Sequence, residues 1–213
     1  MARKINVTAL GKKRAGMHVL IGVIILIIAK LNAVKTMWFL WWLLIFGIII
    51  SLFLRFSHFR LPFFSFMLEK FEKPQYIRVF PGKGVLFIVA GCLLVLKLFP
   101  KDIALASIAI LTFADPVSHL IGSTGRLRYR KPFDRRKNIE GTVAGIFIGF
   151  FTALFFFEPT NINIFIVACA ACTAMFAEAL ILKLGGDDVD DNIVIPLAAG
   201  TIMYLLFKIF TRV

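Results

Sequence analysis

The chain has 213 residues, of which 60% are hydrophobic, 14% aromatic and only 17% charged, and its formal charge at pH 7 is +13. One globular core of this length could not bury so much apolar surface, so the composition indicates an integral membrane protein. The charge does not indicate nucleic acid as a partner, because basic residues in a membrane chain mark cytoplasmic loops and meet anionic headgroups or phosphates. No disulfide framework is predicted, since all three cysteines lie in apolar runs: Cys92, Cys169 and Cys172.

Seven apolar runs predict an all-α, polytopic membrane bundle of about seven transmembrane helices. Each run approaches the ~20 residues that a hydrocarbon core of ~30 Å requires, and backbone polar groups at that depth must be satisfied within a helix. In chain order the predicted spans are residues 17–34, 36–54, 84–99, 103–121, 140–157, 162–182 and 193–210.

The spans leave two long polar segments, and we treat residues 1–213 as one membrane-embedded domain. Residues 1–16 form a basic amino-terminal segment that is too polar for the core of a signal peptide. Residues 55–83 form a connection in which aromatic and charged residues alternate. That alternation favours a helix lying in the membrane interface over a plain surface loop.

The distribution of basic residues predicts the orientation. Nineteen of the 25 Lys and Arg residues lie in the amino-terminal segment or in the connections after the second, fourth and sixth spans, and six lie on the opposite side. The positive-inside rule places the amino terminus and these connections in the cytoplasm, in a cell membrane or an endoplasmic-reticulum-type membrane. Polar clusters on that side would face the compartment that holds nucleotides.

A carboxylate within the fourth span is the first candidate site residue. Asp115 at membrane depth would cost roughly 2.5 to 3.5 kcal/mol without a partner, so a metal ion, a cation or water is expected beside it. Ser118 and Gly122 follow at +3 and +7 and share its helix face. His119 at +4 is placed to hydrogen-bond the carboxylate or to be a buried structural histidine, and Pro116 is expected to disturb the helix. Pairing with an arginine for packing alone is the alternative role for Asp115.

A strongly basic loop follows the fourth span and is flanked by carboxylates at Asp115 and Glu140. Its seven cations are Arg126, Arg128, Arg130, Lys131, Arg135, Arg136 and Lys137. Such a group suits a triphosphate, whereas topology alone explains the charges but not their position between two acids. Glu140 and Gly141 open the fifth span, where backbone amides and the helix dipole favour anions. Glycines at residues 141, 145 and 149 favour close helix packing.

A second acidic group lies at the end of the sixth span and in the connection after it. Glu178 is followed by four aspartates among residues 187–191. Such a loop suits a hard divalent cation, although its spacing is not that of an EF-hand and acidic loops are often only solvated. Together with the basic loop it would bring phosphate and metal to one cytoplasmic mouth, which phosphoryl transfer requires.

The order of these motifs resembles the CTP-dependent lipid kinases, which include dolichol (polyprenol) kinase, phytol kinase and CTP-dependent diacylglycerol kinase. The family pattern has an Asp, a small residue at +3, a Gly at +7, a basic glycine-containing loop and Lys-Ser-x-Glu-Gly. The matching residues are Asp115, Ser118, Gly122, Gly125, and Lys137 with Asn138, Glu140 and Gly141. Later landmarks are similar to Glu178, Asp191, Asn192 and Pro196, and earlier ones to residues 80–84 and the spacing from Arg14 to His18. The chain departs from the pattern at Ala15, Ala114 and Asn138.

The resemblance implies transfer of the γ-phosphoryl group of CTP to the hydroxyl of a membrane lipid alcohol. Dolichol or polyprenol is the expected acceptor, with phytol-like and diacylglycerol-like alcohols as alternatives, and its chain would enter laterally between helices. The implied catalytic residues are Asp115, Lys137, Glu140 and Asp191. The implied nucleotide- or phosphate-binding residues are Gly122, Gly125, Arg135, Arg136, Lys137, Gly141 and Asn192. The implied cofactor is Mg²⁺, held by Asp115, Glu178 and Asp191, while Glu140 would order the basic loop or bind metal.

Two functions from other classes stay open. A membrane cytidylyltransferase making a CDP-lipid would also use Mg²⁺ and CTP, but its usual Lys-Arg, Lys-Asp and carboxyl-terminal Asp-Arg-x-x-Asp signature is not found. A transporter or scaffold without chemistry is disfavoured because the chain shows no inverted repeat and its ionisable groups gather at one mouth rather than at the midplane.

Overall fold

The fold is a bundle of helices, known from a computed structural model that describes residues 2–56, 66, 70–71, 77, 79–130, 133–134, 137–157, 160–180, 183–184 and 187–210. Within these residues the predicted spans correspond to α1 (Ala2–Leu31), α2 (Ala33–Phe56), α3 (Lys83–Leu98), α4 (Lys101–Gly122), α5 (Ile139–Leu154), α6 (Asn161–Ala179) and α7 (Asp191–Phe210). Between α6 and α7, the two-residue strands β1 (Lys183–Leu184) and β2 (Asp187–Asp188) pair antiparallel. The predicted all-α membrane bundle is confirmed.

The helices differ in length more than the sequence predicts. Among the helices of the described residues, five are long and apolar enough to cross a membrane, namely α1 from Leu10 onward, α2, α4, α6 and α7. By contrast, α3 and α5 have 16 residues each, so at 1.5 Å per residue each is about 24 Å long. Both are shorter than a ~30 Å hydrocarbon core.

Three predicted boundaries are wrong. First, α1 begins at Ala2, so the basic amino-terminal segment continues the first span as helix. Second, the helix is interrupted between α1 and α2 at Asn32. The Oδ1 atom of Asn32 accepts a hydrogen bond from Lys35 N at 2.9 Å and caps α2. Third, α6 ends at Ala179, because Asp134 N donates to the Ala179 carbonyl at 2.9 Å and Leu180 pairs with Phe133. Most of residues 55–83, with the predicted interfacial helix, lie outside the described residues.

Helix α4 is the centre of the bundle. In its most apolar stretch 78% of the residues are buried, against 11% in α2. Small side chains at Ala104, Ala106 and Ala109 let the surrounding helices approach it closely. Large apolar side chains on the outer helices are exposed, among them Trp42 on α2 and Phe147 on α5. In a membrane protein these outward side chains meet lipid.

Helices α1 and α4 pack antiparallel through a glycine. A Cβ at Gly22 would collide with the Thr112 side chain, so only glycine allows this approach. At the far end of the pair, Lys101 Nζ donates to the Lys30 carbonyl at 2.9 Å. Since the helices run in opposite directions, the residue one turn before Gly22 lies opposite the residue one turn after Thr112. This places His18 against Asp115.

Helix α4 widens immediately before its buried acid. Residues Ile110–Ala114 form a π-helical turn, and regular helix resumes over Asp115–Gly122. Pro116 has no N–H to give the Thr112 carbonyl, and its ring would clash with that carbonyl in a regular helix. The expected disturbance is therefore observed as a wide turn rather than as a break, and π turns of this kind are frequent at functional sites.

Candidate functional site

Three buried or half-buried carboxylates and a histidine meet at one end of the bundle. Asp115 and His119 come from α4, Glu178 from the end of α6 and Asp191 from the start of α7. One ligand atom from each residue lies within 4.8 Å of the others. Asp115 and Glu178 are only 5% and 2% exposed, so the charges are held out of solvent. We call these four residues the acidic cluster.

Among the described residues, two histidines contact Asp115 of α4. The sequence offered an arginine as the alternative partner. His119 Nε2 lies 3.2 Å from Asp115 Oδ1, and His18 Nδ1 lies 3.3 Å from Asp115 Oδ2. His119 had a sequence signal in its +4 spacing. The sequence marks His18 through its family-like spacing from Arg14, but the approach of His18 to Asp115 depends on the packing of α1 against α4.

Lys137 lies inside the acidic cluster. Its Nζ donates to the Glu178 carbonyl at 2.6 Å, to Glu178 Oε1 at 3.0 Å and to Asp191 Oδ2 at 2.8 Å. These contacts use all three protons of the ammonium group. Burial lowers the pKa of Lys137, but the Glu178 and Asp191 carboxylates raise it by more, so the pKa lies above its ordinary value. These contacts hold Lys137 among the carboxylates at the site, and its expected role in binding phosphate stays a prediction.

The glycines of α5 bring the helices of the site together. A Cβ at Gly141 would meet the Ser118 carbonyl at 2.5 Å and the Cα of Gly122 at 3.0 Å. A Cβ at Gly145 would meet the Met175 side chain on α6 at 2.5 Å. This close packing leaves Ser118 Oγ 3.1 Å from both carboxylate oxygens of Glu178. Gly122 and Gly141, expected beside a nucleotide, thus form the contact between α4 and α5.

Glu140 folds the start of the basic loop onto the start of α5. Its Oε1 accepts hydrogen bonds from Arg126 N at 2.8 Å and Leu127 N at 3.0 Å. Asn138 Nδ2 donates to the carbonyls of Gly122 and Gly125. A Cβ at Gly125 would lie 2.9 Å from Glu140 Oε2, so the turn is tight. Of the two roles expected for Glu140, this geometry favours ordering of the loop.

The basic loop and the connection after α6 lie at the same end of the bundle. Phe133 and Asp134 of the loop pair with Leu180 and Ala179 where α6 ends. Arg126, Arg128 and Arg130 are exposed. Arg135 and Arg136, expected to bind phosphate, lie outside the described residues. A cavity of roughly 200 Å³ opens here and is lined by Ser118, His119, Gly122, Ser123, Lys137, Asn138, Thr142 and Glu178.

The start of α7 is held by local contacts. Asn192 Nδ2 donates to Asp190 Oδ1 at 2.7 Å, and Lys83 Nζ lies 3.8 Å from Asp190 Oδ2. Pro196 has no N–H for the Asn192 carbonyl, which instead lies against Gly91 of α3. In the structure Asn192, expected at the nucleotide, therefore contributes to the contact between α7 and α3.

The residues of the acidic cluster fit a divalent cation. Three carboxylates and one ammonium leave a charge of about −2 when the imidazoles are neutral, and carboxylate oxygens are the ligands that Mg²⁺ prefers. In the described part of the chain, the buried side-chain atoms without a hydrogen-bond partner all belong to residues at this end: His18, Asn138, Asn192, and Asp115, whose Oδ1 has only the ion-pair contact with His119 at 3.2 Å. Buried polar atoms are normally paired, so their concentration here indicates a site for a bound group.

Comparison with known proteins gives one informative similarity. The chain is 27% identical over 135 residues to CTP-dependent diacylglycerol kinase 1 of Schizosaccharomyces pombe. The similarity covers 58% of this chain and 60% of that protein, so the chain spans about three-fifths of the relative's length. No protein-family model and no solved structure matches the chain. This similarity supports the resemblance of the motifs to the CTP-dependent lipid kinase family.

Proposed function

We propose that this protein is a CTP-dependent lipid kinase that transfers the γ-phosphoryl group to the hydroxyl of a membrane lipid alcohol. The observation that carries the proposal is the acidic cluster, buried in a membrane bundle and bordered by a basic loop. The similarity to the S. pombe kinase supports the same reaction class. In the proposed reaction the acceptor oxygen forms a bond to the γ-phosphorus, the bond from that phosphorus to the terminal oxygen of CDP breaks, and the hydroxyl proton is released to water.

In this proposal, one set of side chains binds the metal ion and another binds the phosphates. A divalent cation held by Asp115, Glu178 and Asp191 would neutralise phosphate charge in a loose transition state. Lys137 fixes the positions of Glu178 and Asp191 through its three hydrogen bonds. The arginines of the basic loop hold the triphosphate with planar forks, and Glu140 holds that loop against α5.

The proposed acceptor is a lipid alcohol with its hydroxyl at the membrane surface. Dolichol or polyprenol is the acceptor that the motif resemblance favours, whereas diacylglycerol is the one that the name of the S. pombe protein gives for that enzyme. A lining of Leu, Ile and Phe accepts both chain types, so the acceptor is an outcome to be measured.

The test is phosphorylation of lipid by purified protein in bilayers. The protein is incubated with γ-labelled CTP or ATP and with polyprenol, phytol or dioleoylglycerol, with EDTA followed by added Mg²⁺ as the metal control. We expect label to enter lipid from CTP, with CDP released and with loss of activity in EDTA. Release of pyrophosphate would instead identify a cytidylyltransferase. No turnover with any alcohol would remove the proposed function.

A further inference from the structure

One ring nitrogen of a histidine beside the acidic cluster is buried and unsatisfied. His18 Nδ1 faces Asp115 Oδ2 at 3.3 Å, and His18 Nε2 has no hydrogen-bond partner although it is shielded from solvent. Nδ1 is used by the contact with the carboxylate, so Nε2 is the ring nitrogen left to pair with a bound group. A buried polar atom without a partner indicates a hydrogen-bonding group that binds there, and an alcohol hydroxyl fits because it both donates and accepts.

An apolar groove begins on the same helix. It has a volume of roughly 220 Å³ and is lined by α1 over residues 21–28, by α2 over residues 36–43 and by Val85 and Val89 of α3. The polar member of this lining is Thr36, whose hydroxyl donates to the Asn32 carbonyl at 2.8 Å. A lining of this composition suits hydrocarbon.

The groove and the histidine share one face of α1. Ile21 and Ile25 stand at +3 and +7 from His18 and therefore lie on the same helix face. Ile24 at 47%, Phe39 at 52% and Val85 at 43% exposure leave the groove open at the bundle surface. In a bilayer that opening faces lipid, so a chain can enter sideways while its polar end reaches the acidic cluster.

Resting on the proposed function, we infer that the lipid acceptor binds along α1, with its hydroxyl on His18 Nε2 and its hydrocarbon in the groove between α1, α2 and α3. The hydroxyl supplies the hydrogen-bond partner that Nε2 lacks. The carboxylate of Asp115 holds the imidazole in position, so one acid side chain contacts both the metal site and the residue that orients the acceptor oxygen. His18 is in this sense an acceptor-binding residue.

Two substitutions at His18 separate contact with the acceptor from support of Asp115. The amide of His18→Asn occupies the place of Nδ1 and leaves the place of Nε2 empty, whereas His18→Gln reaches the place of Nε2. We expect His18→Asn to raise the KM for the lipid alcohol about tenfold, the scale of one lost hydrogen bond, and more than it raises the KM for CTP. His18→Gln should raise the acceptor KM less. Equal acceptor KM values in the two variants, or a smaller increase in His18→Asn than in His18→Gln, would overturn this assignment.

A bulky substitution tests the groove. Ile24→Phe fills the groove, and Ile27→Phe on the same helix is the matched control, because Ile27 is exposed and does not line the groove. The measurement is kcat/KM for a long and a short alcohol of one class, polyprenol against geraniol or dioleoylglycerol against dihexanoylglycerol. We expect Ile24→Phe to lower the long-to-short ratio about tenfold, by analogy with one misfitted group in an apolar pocket. An equal change in both variants would overturn the groove assignment.

A binding experiment separates this inference from the kinase reaction itself. A long-chain alcohol carrying a diazirine at mid-chain should crosslink to residues 21–28 or 36–43, and Ile24→Phe should reduce the yield while Ile27→Phe preserves it. Crosslinks confined to α5 and α6 would refute the groove. Crosslinking to the groove in a protein that phosphorylates no alcohol would leave the binding site standing and refute the proposed function.

Discussion

At the scale of single residues, the site depends on how buried acids are compensated. Asp115 is held between two imidazoles, while Glu178 and Asp191 share one ammonium. An uncompensated buried charge costs several kcal/mol, so each of these contacts affects both folding and function. Substitutions at these positions should therefore change stability and turnover by different amounts.

Asp115→Asn should lower turnover by at least ~10²-fold, the scale seen when one preorganised charge is removed from a transition state. Folding should survive, because Asn is close to Asp in size and removes the cost of a buried charge. The measurement is CTP-dependent lipid phosphorylation in matched monodisperse preparations, with Cys169→Ala as the silent control. Near-normal activity would show that Asp115 is structural.

Lys137→Ala should lower both turnover and stability. Removing the ammonium leaves Glu178 and Asp191 without their shared cation, and loss of one partner of a buried pair costs about 3 to 5 kcal/mol. Thermal unfolding in detergent should show a lower Tm than wild type, and Mg²⁺ or Mn²⁺ should raise that Tm more in the variant. Lys137→Arg retains the charge and is the control. An unchanged Tm in Lys137→Ala would show that the contacts contribute little.

At the scale of elements, Glu140 links the basic loop to α5 by accepting backbone hydrogen bonds. Gln retains one acceptor oxygen, so Glu140→Gln should lose less than about tenfold in turnover and keep its dependence on Mg²⁺ concentration. Glu140→Ala should lose more, with faster proteolysis of residues 125–138. A shift in the Mg²⁺ dependence of Glu140→Gln would identify Glu140 as a metal ligand instead.

Hydropathy predicted the helices of the described residues, but not the directions of their side chains. The seven runs were recognisable because burial in lipid requires apolar helices, and the misplaced ends were set by side-chain and loop contacts such as those of Asn32 and Leu180. The cost of a buried charge points to Asp115, whereas Glu178 and Asp191 are predicted from an acidic loop that suits a divalent cation and from the family resemblance. The inward turn of Lys137 and the approach of His18 depend on contacts between distant segments, which composition and spacing do not encode.

At the scale of the whole molecule, the basic loop and the Asp-rich connection lie at one end, where the hydrogen bond from Asp134 N to the Ala179 carbonyl holds the basic loop at the end of α6. Together with the bias of basic residues, this supports one cytoplasmic mouth. The far end contains the turn at Asn32 and the start of α6 after Thr160.

Single-cysteine labelling tests this orientation. In a background without the native cysteines, positions within residues 126–134 and 185–190 should react with a membrane-impermeant maleimide from the cytoplasmic side. Position 160 should react from the opposite side. Labelling of the two loops from opposite faces would contradict the arrangement with one mouth, and labelling of both from outside would reverse the orientation.

The pairing of buried acids with bases also follows the direction in which the chain is synthesised. His18 precedes Asp115, and Lys137 precedes both Glu178 and Asp191. Synthesis from the amino terminus therefore delivers His18 and Lys137 before the acids that they contact, whereas His119 follows Asp115 within the same helix. When α4 enters the bilayer, α1 is already available with an imidazole for Asp115. We expect this order to lower the free-energy cost of inserting Asp115 into the membrane.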